Sequence, residues 1–358
     1  MTDCGRRLFP GLRWLLMAVA ACVVASSAAS AQELKISHQF AARIDARDQA
    51  AQVFIDEARK YAPHLKFGLY PESQLKIKPT AQFDALVSGQ LAMSVYPLEY
   101  AAPKVPEFAI ATFPFIPADL KMAMRLKGSP FHARLQRVAE ANGVHILTWW
   151  WLAGSAACKT GAMILGPTSA NGIRLRTPGG SLDGLFSKAG ALVKEHTSSA
   201  EIYQYLRDGV LDCAVTSMES LVSYKIFEQS TTATLAGYKF FMIFEPLLIS
   251  KIIWDGLTVD EQTALERAAE AADVFFEGTQ KEAEQKTTEA FARLGAKVGK
   301  LELSDYEAWL KLSKDQIWPE YRKISPAADD LFVSLLQSAT KPAHADTAAP
   351  KATGTANQ

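Results

Sequence analysis

Two arginines in one short segment have the type and spacing best suited to bind an anion. Arg174 and Arg176 alternate with apolar residues in the segment 172–178, and a strand with this alternation carries both guanidinium groups on one side. The turn-forming residues 177–180 follow, so Arg176 is expected at the carboxyl end of a strand. A guanidinium there offers a planar pair of donors that matches a carboxylate. The competing interpretation is a surface strand with solvated arginines or an Arg–Asp pair.

Motifs for catalysis are missing from the sequence. It contains no H-E-x-x-H, no G-x-S-x-G, no Walker loop and no G-x-G-x-x-G. The six histidines are scattered, whereas a metal site needs several convergent ligands. Neither a metal nor a cofactor is therefore expected. A carboxylate such as Glu219 keeps an exported hydrolase or isomerase open as an alternative.

The composition is that of a globular protein with two domains. The chain has 358 residues, 49% of them hydrophobic, with 38 basic and 38 acidic side chains. At roughly 100–200 residues per domain this length predicts two domains with a sizeable core. A balanced charge without a basic block argues against nucleic acid as a partner.

The N-terminus is typical of a cleaved secretory signal over residues 1–31. Three arginines precede the apolar run 14–25, and the small residues 29–31 (Ala-Ser-Ala) supply a cleavage site. The run is shorter than the ~20 apolar residues that a membrane span needs. We therefore expect an exported, periplasmic protein. An uncleaved anchor, lipidation at Cys22 and twin-arginine export remain as alternatives.

Two cysteines, Cys158 and Cys213, remain beyond the signal. An oxidising compartment allows one disulfide between them, provided that their Cα atoms lie within about 7 Å. The sequence leaves a disulfide and two buried free thiols equally open.

Strands and helices alternate twice along the chain, which is the pattern of parallel sheets covered by helices. The predicted strands are 34–38, 65–70, 91–96, 172–176, 191–196 and 211–216, with helices at 49–61, 80–87, 181–189 and 199–207 between them. A capping box at Thr258–Glu261 begins a further helix that lacks proline up to Gly295. Its roughly 36 residues would span about 54 Å, so it is expected to lie across both units.

The expected fold is thus a two-lobed α/β protein with a ligand cleft between the lobes and a long helix spanning both. Ligands of parallel α/β sheets bind beyond the carboxyl ends of the strands. The expected divisions are a signal at 1–31, lobe I at 32–152 plus about 240–275, lobe II at 153–239 plus about 276–338, and a disordered tail at 339–358.

Several short motifs resemble the DctP-like family, the extracytoplasmic solute-binding subunits of TRAP transporters. The signature strand of that family matches Gly-Ile-Arg-Leu-Arg-Thr-Pro at 172–178. The resemblance extends over roughly 34–337 through further motifs at 70–75, 88–91, 113–115, 201–203 and 209–212.

The resemblance implies a binding protein rather than an enzyme. It implies two α/β lobes, a small organic-acid ligand, and integral membrane TRAP transporter subunits as partners. The principal ligand contact implied by the family is the arginine that ends the signature strand, here Arg176. A binding protein of an ABC transporter would share this architecture and is the third alternative.

The chain departs from the family at two places near this strand. Many members carry a second basic residue before it, whereas the nearest cation here is Lys159. Hydroxyl groups at Thr216 and Ser217 stand where many members have an amide. A single strong cation with aromatic walls favours a monocarboxylate with a polar or aromatic remainder. At least one of the three tryptophans at 149–151 is expected to face the cleft, because consecutive strand residues alternate sides. The expected site comprises Arg176, Thr216, Ser217, Glu219, Tyr203, Trp150, Tyr96, Lys159 and Gln39.

Overall fold

The computed structural model describes residues 33–340. The predicted signal at 1–31 and the predicted tail beyond residue 340 lie outside the described residues. The strands are β1 Leu34–Ser37, β2 Phe67–Tyr70, β3 Met93–Val95, β4 Val144–Ile146, β5 Trp151–Cys158, β6 Arg174–Arg176, β7 Leu192–Val193, β8 Cys213–Ser217, β9 Thr232–Gly237, β10 Met242–Phe244, β11 Leu247–Ser250 and β12 Lys297–Leu301.

The α-helices of the same region range from 5 to 22 residues. They are α1 Ala46–Tyr61, α2 Gln82–Val87, α3 Leu120–Arg125, α4 Pro130–Ala141, α5 Ser181–Lys188, α6 Ile202–Arg207, α7 Met218–Ser223, α8 Lys251–Gly256, α9 Val259–Gln280, α10 Ala283–Arg293, α11 Leu303–Leu312, α12 Trp318–Arg322 and α13 Pro326–Thr340. None of these helices is both long and apolar enough to cross a bilayer.

The strands form two sheets, and we call the part of the chain around each sheet a lobe. The first lobe has five strands in the order β2-β1-β3-β11-β4. The second lobe has the order β12-β9-β5-β8-β6-β7, with β10 paired to the start of β5. Strands β1, β2 and β3 are parallel, as are β6, β7 and β8. The predicted two-lobed α/β fold is confirmed.

Strand β6 has three residues and ends at Arg176. It lies between β7 and β8, and Arg176 is opposite Ala214 on β8. Gly179 and Gly180 follow with positive φ angles of 105° and 62°, a backbone region that glycine adopts without a steric penalty. The chain thereby turns sharply from β6 into α5.

The predicted single long helix is interrupted. It forms α9, of 22 residues, and α10, of 11 residues, separated by Lys281 and Glu282. The Glu282 amide donates to the carbonyl of Thr279, three residues earlier, so the α-helical pattern is lost there. Helix α9 packs on α1 in the first lobe, whereas α10 packs on α7, β9 and β12 in the second. The pair reaches both lobes, but with a break where its packing partner changes.

The C-terminal helix α13 corrects the predicted division of the chain. The sequence predicts about 276–338 as part of lobe II, yet α13 packs on α4 and α3 in the first lobe. Its side chains Leu331, Phe332 and Leu335 share a buried cluster with Phe131 on α4. The apolar face of α13 is thus buried against the first lobe. The helix also includes Thr340, so the expected tail cannot begin at 339.

Cys158 and Cys213 form a disulfide, which decides the question that the sequence left open. They lie directly opposite each other on the antiparallel strands β5 and β8. Because Cys213 is also the neighbour of Leu175 on β6, the bridge lies beside the strand that carries Arg176.

Candidate functional site

Arg176 lies at the junction of the two lobes and is only 1% exposed. Its Nε donates to the carbonyl of Thr197 (3.0 Å), its Nη1 to the carbonyl of Val215 (3.1 Å), and its Nη2 to the hydroxyl of Tyr100 (3.1 Å). Tyr100 belongs to the first lobe, in the 3₁₀ helix Leu98–Ala101 that follows β3. The guanidinium thus joins the second lobe to the first.

Arg174 has a different environment from Arg176 although both lie on β6. Its guanidinium is exposed and binds Asp212, with an Nε to Oδ2 distance of 2.9 Å. The Arg–Asp pair that the sequence left open is therefore found at Arg174, whereas Arg176 forms no such pair within residues 33–340.

The hydroxyl oxygen of Tyr100 is surrounded by hydrogen-bond donors. It accepts from Arg176 Nη2 at 3.1 Å, from the backbone amide of Ser199 at 3.0 Å and from Gln39 Nε2 at 3.4 Å. A hydroxyl oxygen has two lone pairs, so three donors exceed what it can accept. We call Arg176 Nη2, Ser199 N and Gln39 Nε2 the donor cluster. An anionic oxygen matches such a cluster better than a neutral hydroxyl does.

A second buried arginine, Arg47 on α1, is fully engaged by carboxylates. Its guanidinium binds Asp45 (Nε to Oδ1, 2.7 Å) and Glu245, and Nη2 donates to Ser220 Oγ at 3.0 Å. It also lies over the ring of Phe40, 3.6 Å from the centroid. Burial opposes ionisation of Asp45, but Arg47 lowers the pKa of that carboxyl below its usual value. Two carboxylates therefore neutralise this cation.

Glu99 precedes Tyr100 and is 1% exposed. Neither of its carboxylate oxygens has a hydrogen-bond partner among residues 33–340. Burial, followed by the nearby Glu245, raises the pKa of Glu99 well above the ordinary value, and Arg176 opposes this shift more weakly. Glu99 is thus a buried acid without a counter-ion in direct contact.

A cavity of about 240 Å³ opens between the lobes beside these residues. Tyr100 and Thr197, two partners of Arg176, line it, although Arg176 itself does not. The full lining is Thr80, Glu99, Tyr100, Ala102, Pro103, Pro106, Ala109, Pro178, Gly179, Gly180, Asp183, Glu195, His196, Thr197 and Ile324.

Glu219 on α7 connects the lobes at a second point. Its Oε1 accepts from the backbone amide of Ala46 at 2.8 Å, at the start of α1. Burial, with a further contribution from Asp45, raises the pKa of Glu219 to about 7.

Some of the sequence-predicted site residues are brought together. Gln39 belongs to the donor cluster, and the buried ring of Tyr96 lies edge-on to Tyr100 with centroids 6.1 Å apart. Thr216 and Ser217 are buried in the neighbouring strand β8, but Ser217 Oγ accepts from the amide of Ser220. That hydroxyl therefore caps α7.

Three other predicted residues are placed elsewhere. Lys159 Nζ donates to the carbonyls of Leu206 (2.8 Å) and Arg207 (2.7 Å) at the end of α6. The Tyr203 hydroxyl donates to Glu228 at 3.2 Å. Trp150 stacks on Phe276 in the core.

The expectation that a tryptophan faces the cleft is not met in the cavity described above. Residues 149–151 are each at most 1% exposed and none of them lines it. The alternation of a strand does separate them, since Trp150 packs in one apolar cluster and its two neighbours pack in another. Both sides are interior, so alternation places no indole in the cleft.

The sequence analysis missed Arg47, Asp45, Glu245, Glu99 and Tyr100. A signal existed for two of them, because Glu99 and Tyr100 follow β3 just as residues 177–180 follow β6. Ligands of parallel α/β sheets bind beyond the carboxyl ends of the strands, and this applies to β3 as well as to β6. Arg47 gave no such signal, since its partner Glu245 is 198 residues away. Among residues 33–340 no group of histidine, cysteine, aspartate or glutamate side chains is arranged to hold a metal ion.

Comparison with known proteins identifies the family. Residues 37–323 match the model of bacterial extracellular solute-binding protein family 7, DctP. A solute-binding protein of Albidiferax ferrireducens is 32% identical over 301 residues, which cover 82% of this chain and 88% of that protein. The C4-dicarboxylate-binding periplasmic protein DctP of Rhodobacter capsulatus is 25% identical, with 73% of this chain and 78% of that protein covered.

A solved structure supports the same assignment. A TRAP periplasmic solute-binding protein from Rhodoferax ferrireducens with bound malonate superposes with a TM-score of 0.82 at 30% identity, covering 85% of this chain and 98% of that one. These proteins bind solutes and are not enzymes, so the hydrolase or isomerase alternative is not supported. The resemblance inferred from the sequence is confirmed, and this chain belongs to bacterial extracellular solute-binding protein family 7.

Proposed function

We propose that the protein captures a small carboxylate outside the cytoplasm and delivers it to the membrane subunits of a TRAP transporter. The observation that carries the proposal is the donor cluster, in which three N–H groups converge on one oxygen. A ligand carboxylate would take the position of the Tyr100 hydroxyl and supply the negative charge that the cluster lacks. A cleaved signal at residues 1–31 would bring the protein to the periplasm. The malonate bound to the similar Rhodoferax protein supports an acid as the ligand.

The proposed ligand carries a single carboxylate. Arg47 is already neutralised by Asp45 and Glu245, so Arg176 is the buried arginine of the junction that lacks a carboxylate partner. A second ligand carboxylate would have to be buried without a cation, and burying an unpaired charge costs several kcal/mol.

Binding is proposed to require closure of the two lobes. Gln39 and Tyr100 belong to the first lobe, whereas Arg176 and Ser199 belong to the second. The donor cluster is therefore assembled only when the lobes meet. Closure also removes water, which strengthens the attraction between Arg176 and the carboxylate.

Substitution of Arg176 tests this proposal. Isothermal titration calorimetry with a panel of mono- and dicarboxylates first identifies the tightest ligand. Arg176→Ala should then weaken its binding about 100-fold or more, because it leaves a buried carboxylate unpaired at a cost of ~3 kcal/mol. Arg176→Lys should also weaken binding, since an ammonium lacks the two-pronged geometry.

Arg174→Ala is the matched control, because Arg174 lies on the same strand but binds Asp212 at the surface. It should leave the affinity within about threefold of the parent. Equal affinity of Arg176→Ala and the parent would refute the assignment of the site. A panel in which only dicarboxylates bind would refute the single-carboxylate ligand.

A further inference from the structure

The cavity between the lobes is acidic, which is unexpected for a site that receives an anion. Three carboxylate side chains line it, those of Glu99, Asp183 and Glu195, together with one histidine, His196, beside Glu195; no lysine or arginine of residues 33–340 lines it. Asp183 is largely buried, which raises the pKa of its carboxyl. Of these three acids only Glu99 is almost completely buried, and it lies next to Tyr100, a partner of Arg176.

Glu99 is the acid of the junction that lacks a hydrogen-bond donor among the described residues. Its two oxygens are buried and accept no hydrogen bond from residues 33–340, whereas the other acids of the junction are already engaged. Asp45 and Glu245 bind Arg47, and Glu219 accepts from the amide of Ala46. A buried carboxylate with no donor is costly, so a ligand that supplies donors to Glu99 would be selected strongly.

The charges of the junction favour a cationic donor over a neutral one. Asp45 and Glu245 already bind Arg47, and a ligand carboxylate would balance the charge of Arg176. Glu99 then has no cation within hydrogen-bond distance among residues 33–340. A hydroxyl group would donate to Glu99 without balancing its ionised form, whereas an ammonium group would donate a hydrogen bond and balance the charge.

We infer that the ligand is an amino carboxylate, whose carboxylate binds Arg176 and whose ammonium group binds Glu99. The first half of this assignment rests on the proposed function, and the second half rests on Glu99 and the acidic cavity. Glu99 lines the cavity together with Tyr100 and Thr197, two partners of Arg176, so one small molecule in the cavity would lie beside Glu99 and next to the partners of Arg176. The cavity of about 240 Å³ is slightly below the usual size range of small-molecule pockets, which suits a small amino acid.

Matched ligand series test the inference in the full-length mature protein. Each series keeps one carbon skeleton and changes one group: alanine, lactate and propionate; leucine, 2-hydroxyisocaproate and isocaproate; and β-alanine, 3-hydroxypropionate and propionate. Calorimetry should show that the amino acid of at least one series binds tenfold or more tightly than both of its partners.

Glu99→Gln should abolish this preference for the amino acid, with a loss of tenfold or more, while propionate or isocaproate changes less than threefold. Glu195→Gln is the control, since Glu195 lines the same cavity but is exposed. It should keep the preference. A protein that retains the preference after Glu99→Gln would overturn the role of Glu99.

The two proposals fail in different ways. Binding of carboxylates without an amino group, with no amino acid bound more tightly, overturns the amino carboxylate and leaves the proposed function intact. If Arg176→Ala and Glu99→Gln each weaken the binding of the amino acid as single variants, the proposed function and the amino carboxylate are both supported. If no mono- or dicarboxylate and no amino acid binds, both are overturned.

Discussion

Arg47 and Arg176 are both buried arginines at the lobe junction, and their partners give them different roles. Arg47 is held by Asp45 and Glu245, so its charge is balanced within the protein. Arg176 donates to two carbonyls and a hydroxyl, which are dipoles and leave its charge unbalanced. A cation that the fold does not neutralise is the one available to an anionic ligand.

Glu219 should make the stability of the protein depend on pH. Its carboxyl has an ordinary pKa of 4.5, and burial raises this to about 7 in the folded state. The folded protein therefore binds more protons than the unfolded chain between these values. Stability from this group is fully present below pH 4.5 and is lost as the pH rises through about 7. The whole effect is at most roughly 3 kcal/mol.

Glu219→Gln isolates that contribution. Glutamine retains an oxygen for the Ala46 amide but does not ionise, so the variant should lose less stability than the parent between pH 5 and pH 8. Urea unfolding at each pH measures the difference. Glu266→Gln, an exposed position on α9, should follow the parent. Parallel pH profiles of Glu219→Gln and the parent would contradict the prediction.

Sequence reasoning named Arg176 and Glu219 but not Asp45, Glu99 and Glu245. The strand alternation at 172–178 and the turn that follows are local features, so they are visible in a short window. The contact of Arg47 with Glu245 and that of Ala46 with Glu219 join residues 198 and 173 positions apart. Such pairs depend on how the lobes meet, and no local pattern specifies this.

At the scale of elements, helix starts were easier to predict than helix interruptions. The capping box at Thr258 is present as expected, with Thr258 Oγ1 accepting from the Glu261 amide and Glu261 Oε2 accepting from the Thr258 amide. The break at Lys281 and Glu282 contains no proline or glycine, although Gly278 lies in the last turn of α9. The break lies where the packing partner changes from α1 to α7. It therefore coincides with a change in tertiary packing.

Thr258→Ala should destabilise the protein by about 1 kcal/mol, because it leaves an amide of the first turn without its side-chain acceptor. Urea unfolding measures this change. Thr263→Ala is the control, since Thr263 is exposed in the interior of α9 and alanine has the higher helix propensity. That variant should be unchanged or slightly more stable. A smaller loss for Thr258→Ala than for Thr263→Ala would show that the capping box contributes nothing.

For the whole molecule, contacts between the lobes extend well beyond the donor cluster. Thr112 Oγ1 donates to the carbonyl of Gly179 at 3.1 Å, and Ser181 Oγ donates to the carbonyl of Ala109 at 3.0 Å. These hydrogen bonds flank the cavity on the side of α5. In the closure proposed above, these neutral contacts would align the lobes, and the ligand carboxylate would balance the charge of Arg176.

The disulfide between Cys158 and Cys213 should stabilise the second lobe without contributing to ligand affinity. It joins positions 55 residues apart, and closing a loop of this length in the unfolded chain corresponds to about 4 kcal/mol. Urea unfolding of the double variant Cys158→Ala/Cys213→Ala should show a loss of unfolding free energy approaching this value.

Parent protein that is reduced under denaturing conditions and refolded with its thiols blocked should lose a similar amount of unfolding free energy. Because β8 remains hydrogen-bonded to β6 through its backbone, the position of Arg176 should be kept and the affinity of the folded variant should stay within about threefold. A double variant as stable as the oxidised parent would show that the bridge adds no constraint to the unfolded chain.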